Sequence, residues 1–181
     1  MVARALDDAG ARERMLDCPG GAGRLTPLLL DRADSVTVAD ISPAMVQQAR
    51  EALVPAVAAG RVAFAVGSAA ALPFADDAFD TVVCHRLLHH VQDAGERHAI
   101  FSELGRVARR RVVLSFGDAD SVKARLQRAK GRRSSHAALT HAALRAETEA
   151  AGLRSVGTIA RLNGLFSILA VAVFAAPGAR D

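Results

Sequence analysis

The chain has no tryptophan and no tyrosine, and only seven phenylalanines in 181 residues. Proteins that hold single-stranded nucleic acid stack its bases on aromatic faces. That class is poorly supplied here, and no nucleic-acid partner is expected. The lack of tyrosine also excludes a Tyr-Lys pair for hydride transfer. Lysine is nearly missing too: only Lys123 and Lys130 occur, so the net charge of +4 comes almost wholly from arginine. In an Ala/Arg-rich chain that bias reflects base composition more than a nucleic-acid surface. Two cysteines, Cys18 and Cys84, are too few for a disulfide scaffold and suit a reduced, cytoplasmic protein. Long hydrophobic runs are absent as well. The first residues lack an apolar signal core. Leu165 to Ala176, about 12 residues, falls short of the roughly 18–20 that a membrane span needs and reads as a buried strand. Repeats and low-complexity linkers are lacking. The length fits one domain, residues 1–181, able to bury a real core.

What is present begins with MLDCPGGAGR, Met15 to Arg24. A short apolar run stops at a glycine-rich turn, and an amphipathic segment (Leu25, Leu28, Leu29) follows: strand, loop, helix. Gly21 and Gly23 let the backbone approach a ligand and aim amide hydrogens at its polar atoms. A second apolar strand (Val36, Val38) ends in Asp40, which lies 17 residues beyond Gly23 (40 − 23). A carboxylate there can accept hydrogen bonds from both hydroxyls of a ribose. An adenosine-containing ligand is expected. The competing reading of Asp40 is a cap for the next helix, a role that Ser42 fills more naturally.

Further strand-like runs recur at Val62–Val66, Phe79–Cys84 and Val112–Phe116, with helical patterns between them. Ser42-Pro43 opens the second helix as N-cap and first residue, and Pro55 kinks or ends it. Another helix runs through Ile100, Phe101, Leu104 and Val107, and one more spans Thr140 to Gly152. The alternation implies a doubly wound, mostly parallel α/β sheet covered on both faces. Near the end, Ser155–Leu162 and Leu165–Ala175 are both strand-like and joined by Asn163-Gly164, a strong hairpin signal. The last strand is therefore expected to run antiparallel.

Assembled, these residues resemble class I S-adenosylmethionine-dependent methyltransferases, specifically the type 11 small-molecule group that includes quinone-biosynthesis enzymes. LDCPGGAG is similar to the family's LDxGxGxG, VTVADISPAMVQQAR to its second-strand acid and helix, and GSAAALPFADDAFDTVVCHRLLHHV to the segment around adenine and methyl group. The resemblance covers roughly residues 14 to 175 and implies a Rossmann-like, seven-stranded sheet with a reversed last strand.

It further implies the cofactor S-adenosyl-L-methionine and direct in-line methylation of an unidentified small molecule. On that basis Asp17 sits near the cofactor's amino group, and Pro19, Gly21 and Gly23 form the loop under its methionine part. Asp40 holds the ribose, with Ile41 against the adenine. Ser68, Ala69 and Leu72 border the adenine edge, and Cys84, followed by His85, lines the floor. His89 is the candidate base where an acceptor arrives protonated; the alternative is that it packs under the helix.

Two departures stand out: Pro19 replaces the first loop glycine and removes an amide donor, and Ser68 stands where many members carry an acid. Only fourteen residues precede Met15, so the expectation is a shortened N-terminal cover, a cover supplied by a partner chain in an oligomer, or a truncated chain start.

No CxxC or HxxxH spacing supports a metal set from Cys18, Cys84, His85 and His89, so no metal is expected. The resemblance implies that the run Lys123 to Arg133, after the fifth strand, sits on the rim where the fold admits substrates. The run reads either as a solvated helix face, the more ordinary case, or as attraction for an anionic acceptor. Asp80 is expected to orient its strand, and Arg106 with Arg109–Arg111 to complement a helix C-terminus. Two other functions stay open. One is a non-catalytic cofactor-binding or interaction domain. The other is a nicotinamide-dependent oxidoreductase, disfavoured because a GxGxxG pattern would end at Thr26.

Overall fold

The structure, a computed structural model, describes residues 2–6, 13–130, 137–156, 160–161 and 169–179. A short helix α1 (Val2–Ala5) precedes strand β1 (Arg14–Asp17) and helix α2 (Thr26–Leu30). Strand β2 (Ser35–Asp40) leads into α3 (Pro43–Ala52) and α4 (Val54–Ala58), then β3 (Val62–Val66) and β4 (Phe79–Cys84). A 3-10 turn at Leu88–His90, helix α5 (Ala94–Val107) and strand β5 (Ala108–Gly117) follow. The chain continues through α6 (Val122–Ala129), α7 (His141–Ala150), β6 (Arg154–Ser155), β7 (Ala160–Arg161) and β8 (Leu169–Ala175).

The strand order is β3-β2-β1-β4-β5-β8-β6, with β7 also on β8. The first five pair in parallel, and β8 runs antiparallel to β5 from Arg111↔Ala175 to Gly117↔Leu169. Both β6 and β7 pair antiparallel with the same edge of β8, so eight segments fill seven positions. The mostly parallel sheet with a reversed strand near its end is thus as expected. The Asn163-Gly164 turn lies outside the described residues.

Period-two alternation divides the core between the two faces. Leu16, Val82, Val112 and Leu114 pack with Ile100, Phe101 and Leu104 of α5 on one face. Met15, Val36, Val83 and Val113 pack with Leu29 of α2 and Ala49 of α3 on the other. Ser42 caps α3, its hydroxyl accepting from Met45 N at 3.4 Å, with Pro43 beside it in the first turn. Pro55 sits in the first turn of α4, where its missing amide hydrogen leaves no gap and stops α3. Thr140 caps α7 in the same way as Ser42, accepting from Ala143 N at 3.1 Å.

The arginines before β5 are placed differently from the expectation. Helix α5 ends at Val107, and Arg109, Arg110 and Arg111 already lie on the strand. Arg111 Nη2 contacts Glu13 Oε1 at 3.0 Å and Arg110 Nη1 reaches it at 3.2 Å. Thr81 Oγ1 donates to Glu13 Oε2 at 2.7 Å. Arg109 pairs with Asp80, whose other oxygen accepts from Arg14 N at 2.8 Å. Asp80 therefore orients its strand, as read from sequence. Arg106 does lie in the last turn of α5, as expected, and its guanidinium is engaged elsewhere. It clamps Glu103 and Asp76 at 2.7 Å each and donates to the carbonyls of Phe74 and Leu72. Glu13 is only 2% exposed, and a buried carboxylate is tolerable only with paired cations and hydrogen bonds. That need decides where the arginines go.

Candidate cofactor-binding site

Strand β1 pairs with β2 on one side and β4 on the other. Winding therefore reverses at β1, and the crevice forms at the carboxyl ends of these strands, where open α/β sheets bind ligands. A cleft of about 550 Å³ opens there. Asp17, Pro19, Gly21 and Asp40 line it, as do Gly20, Ala22, Arg24 and Leu25 of the loop. Met45 and Gln48 of α3, with His85 and Arg86 after β4, complete the wall.

The loop is shaped by close approaches. A Cβ on Gly20 would meet Val38 Cγ1 at 2.4 Å, and Gly20 N donates to Ala39 O at 2.9 Å. No larger residue allows the turn to lie on β2 this closely. Gly23, at φ 76°, is pressed against α3: a Cβ there would meet Leu53 Cδ1 at 2.9 Å. Gly23 therefore packs the loop rather than facing the cleft. Gly21 does line it, and its amide donates to Asp40 Oδ2 at 2.9 Å.

Asp40 is 7% exposed, and its other oxygen accepts from Ser42 N at 2.9 Å. Each carboxylate oxygen carries a second lone pair, so this cleft-lining acid keeps further acceptor capacity. Asp17 is 1% exposed. Its Oδ2 accepts from Thr26 Oγ1 at 2.9 Å, whereas Oδ1 is buried without a hydrogen-bond partner. Burial pushes its pKa up to about 7; the Thr26 hydrogen bond opposes this and the Asp40 charge adds to it. A buried acceptor without a partner can be completed by a donor from a water, an ion or a ligand. His85 also has a buried Nδ1 without a partner. Burial first, and then the Arg86 charge, hold its pKa below the ordinary value.

The remaining expected positions lie around the cleft rather than on its wall. Ile41 is 70% exposed beside Asp40. Gly67 N donates to Asp40 O at 3.0 Å, which sets the following Ser68–Leu72 loop next to that acid. Ser68 Oγ accepts from Ala70 N at 3.2 Å, and Leu72, itself buried, donates its amide to Glu103 Oε2 at 2.8 Å. Ala69 packs against the α5 side of the core. Cys84 is fully buried in that core, and burial drives its thiol pKa well up. His89 is buried on the 3-10 turn, with its ring centroid 3.9 Å from that of His90. Its carbonyl accepts from Ala137 N at 2.8 Å.

Sequence reasoning did not single out Gly20, Arg24, Met45, Gln48 or Arg86. The spacing of Met45 and Gln48, three apart on one helix, was the available signal for a shared face.

Among the described residues one group has metal-ligand chemistry: Asp118, Asp120 and His141, with ligand atoms within 4.8 Å of one another. His141 Nε2 lies 3.1 Å from Asp118 Oδ1, and Asp120 Oδ2 accepts from His141 N at 2.8 Å. The trio fastens the exit of β5 to the start of α7, and none of the three lines the cleft.

The family described as "methyltransferase domain" matches residues 16–116, more than half of the chain. The chain belongs to this family. The match runs from β1 through β5 and so contains every strand that builds the cleft.

The methyltransferase domain is 33% identical over 110 residues to a ubiquinone/menaquinone biosynthesis C-methyltransferase UbiE of Marinomonas sp. (strain MWYL1). That match covers 59% of this chain and 44% of the relative, so less than half of the relative's length is spanned. Its fold is shared with the magnesium protoporphyrin IX methyltransferase of Synechocystis PCC 6803 with bound SAH. The TM-score is 0.77 at 23% identity, over 97% of this chain and 80% of that one. A SAM-dependent methyltransferase of Methanosarcina mazei superposes with a TM-score of 0.74 at 21% identity, covering 97% and 96% of the two chains. No helix among the described residues is long and apolar enough to cross a membrane.

Proposed function

We propose that this domain binds S-adenosylmethionine in the cleft between β1, β2 and β4 and methylates a small-molecule acceptor. The observation that carries the reading is the pairing of two acids in one cleft. Asp40 lines it with acceptor capacity to spare, and Asp17 keeps a buried oxygen with no partner. Ribose hydroxyls suit the first and an ammonium the second. Family membership adds to this, as do a relative named as a ubiquinone/menaquinone biosynthesis C-methyltransferase and a neighbour crystallised with SAH.

In this reading Asp40 accepts from the ribose, and the Gly20–Gly21 turn supports the methionine chain. Ile41 covers one adenine face while the Ser68–Leu72 loop borders its edge. When bound, the donor supplies an electrophilic methyl group on a sulfonium. The protein's part is orientation and exclusion of water. Holding two reactants in line can remove roughly 7–11 kcal/mol of barrier. Acid–base chemistry is needed only for an acceptor that arrives protonated. His89 is the candidate base from sequence, and His85 is the histidine on the cleft wall.

Calorimetric titration with S-adenosylmethionine and, separately, with NAD tests the proposal. Saturable 1:1 binding of the sulfonium donor and none of NAD is expected. Silence toward the donor overturns it.

A further inference from the structure

Arg86 adopts a left-handed backbone, φ 63°. Glycine, asparagine and aspartate tolerate that region, whereas a long side chain there brings its Cβ against the following carbonyl. The conformation is held in place: Arg86 N donates to Ser115 Oγ at 2.7 Å, and Ser115 is 1% exposed on β5. Strained backbone that its surroundings enforce is a pointer to function. Arg86 lines the cleft, and so does Arg24 from the glycine loop.

Both side chains are exposed, and among the described residues neither guanidinium is ion-paired. Arg97, Arg106, Arg109, Arg110 and Arg111, by contrast, are all committed to carboxylates. Two unengaged cations on the wall of a site for a positively charged sulfonium would repel it, unless the ligand brings an anion to meet them.

We propose that Arg86, assisted by Arg24, binds the carboxylate at the amino-acid end of the donor, while the orphaned Asp17 oxygen takes its ammonium. This rests on the donor reading above and assigns the zwitterion-recognition subsite within it. An α-amino carboxylate is the one part of the donor that carries both charges a few bonds apart. The cleft offers both complements beside the glycine turn. Burial and the Arg86 charge disfavour a third cation at His85 on this wall.

The test is calorimetry of the full chain with S-adenosylmethionine, S-adenosylhomocysteine and decarboxylated S-adenosylmethionine. A charge-assisted bidentate contact is worth about tenfold or more in affinity. Wild type should therefore bind the carboxylate-bearing donor at least about tenfold tighter than the decarboxylated one. Arg86→Gln should erase that preference by weakening the former and leaving the latter within about twofold. Arg24→Gln should act in the same direction, and Arg86→Lys should restore part of the preference.

Arg86→Gly separates recognition from folding. It relieves the left-handed backbone, so its thermal midpoint should not fall below wild type while the preference is still lost. Equal wild-type affinity for the two donors overturns the proposal. So does a preference that survives both Arg86→Gln and Arg86→Gly, or equal losses for both donors. If wild type binds none of the three ligands, the donor reading itself fails, an outcome distinct from lost discrimination.

Discussion

The amide of Gly21 donates to Asp40 Oδ2 at 2.9 Å, tying the glycine turn of one strand to the acid that ends its neighbour. In the proposed reading, donor grip and loop shape are therefore coupled through one carboxylate. Asp40→Ala removes acceptors for Gly21 N and Ser42 N together. Each hydrogen bond to a charged group is worth about 1.5–3 kcal/mol. Donor affinity should fall by about 30-fold or more in calorimetry. Denaturant unfolding should show a loss of about 2–4 kcal/mol. An unchanged donor affinity would remove the basis for placing ribose here.

Asp17 gives the domain a pH dependence with a defined sign. Its folded-state pKa is raised from 3.8 to about 7, chiefly by burial. Between these values the folded protein holds a proton that the unfolded chain has released. Stability from this group is therefore complete below the lower value and declines as pH rises, flattening above about 7. The slope in that window is about 1.4 kcal/mol per unit, so the full effect is on the order of 4 kcal/mol. Asp17→Asn keeps an acceptor for Thr26 and cannot ionise. It should flatten that slope and unfold later than wild type at pH 8 by urea titration. Donor affinity should run the other way. In wild type it rises between pH 6 and 8 as the carboxylate forms, and in Asp17→Asn it is weaker and independent of pH.

Glu13 tests the opposite end of the central strands, just before β1. Its carboxylate, 2% exposed, holds Arg110, Arg111 and Thr81. Glu13→Ala strands the Arg111 guanidinium, whose side chain is 13% exposed. Removing one partner of a buried pair typically costs about 3–5 kcal/mol. The variant should unfold at clearly lower denaturant. Measured below its transition, it should bind donor within about twofold of wild type, because nothing in this cluster lines the cleft. A large affinity loss in the folded variant would show the two ends of the sheet to be coupled.

What was legible in the sequence was local. Apolar runs of alternating face gave β1 to β5. Ser42-Pro43 and Thr140 marked helix starts because a cap acts on amides two or three residues away. The glycine turn and Asp40 were readable because their spacing is fixed by one strand–loop–helix–strand unit. Long-range demands were hidden. Arg111 meets Glu13 across 98 positions, so a burial that no nearby residue signals redirected the basic run. The left-handed φ of Arg86 is enforced by Ser115, 29 positions away, and nothing in CHRLLHHV announces it. Among the loop glycines, Gly20 and Gly23 are required by packing against Val38 and Leu53, side chains whose approach depends on the finished sheet.

The two cysteines give a labelling test of the closed site. Cys18 is buried beside Asp17, and burial, with the charges of Asp17 and Asp40, pushes its pKa up to about 12. Cys84 is fully buried, and its pKa is likewise driven up by burial. Alkylation requires the thiolate. At pH 8 a thiol with pKa near 12 holds only about one part in ten thousand of it. Iodoacetamide followed by mass spectrometry should therefore label native protein at least about 100-fold more slowly than urea-unfolded chain. Labelling should occur through opening of the domain, so the native rate should track stability. Asp17→Asn at pH 8 should slow it further, and Glu13→Ala should speed it. Saturating donor should slow labelling of wild type as well, because a ligand that binds only the folded state lowers the population of the opened one. Rapid modification of Cys18 in the native protein, insensitive to these changes, would mean that the floor beneath the glycine turn is open to solvent.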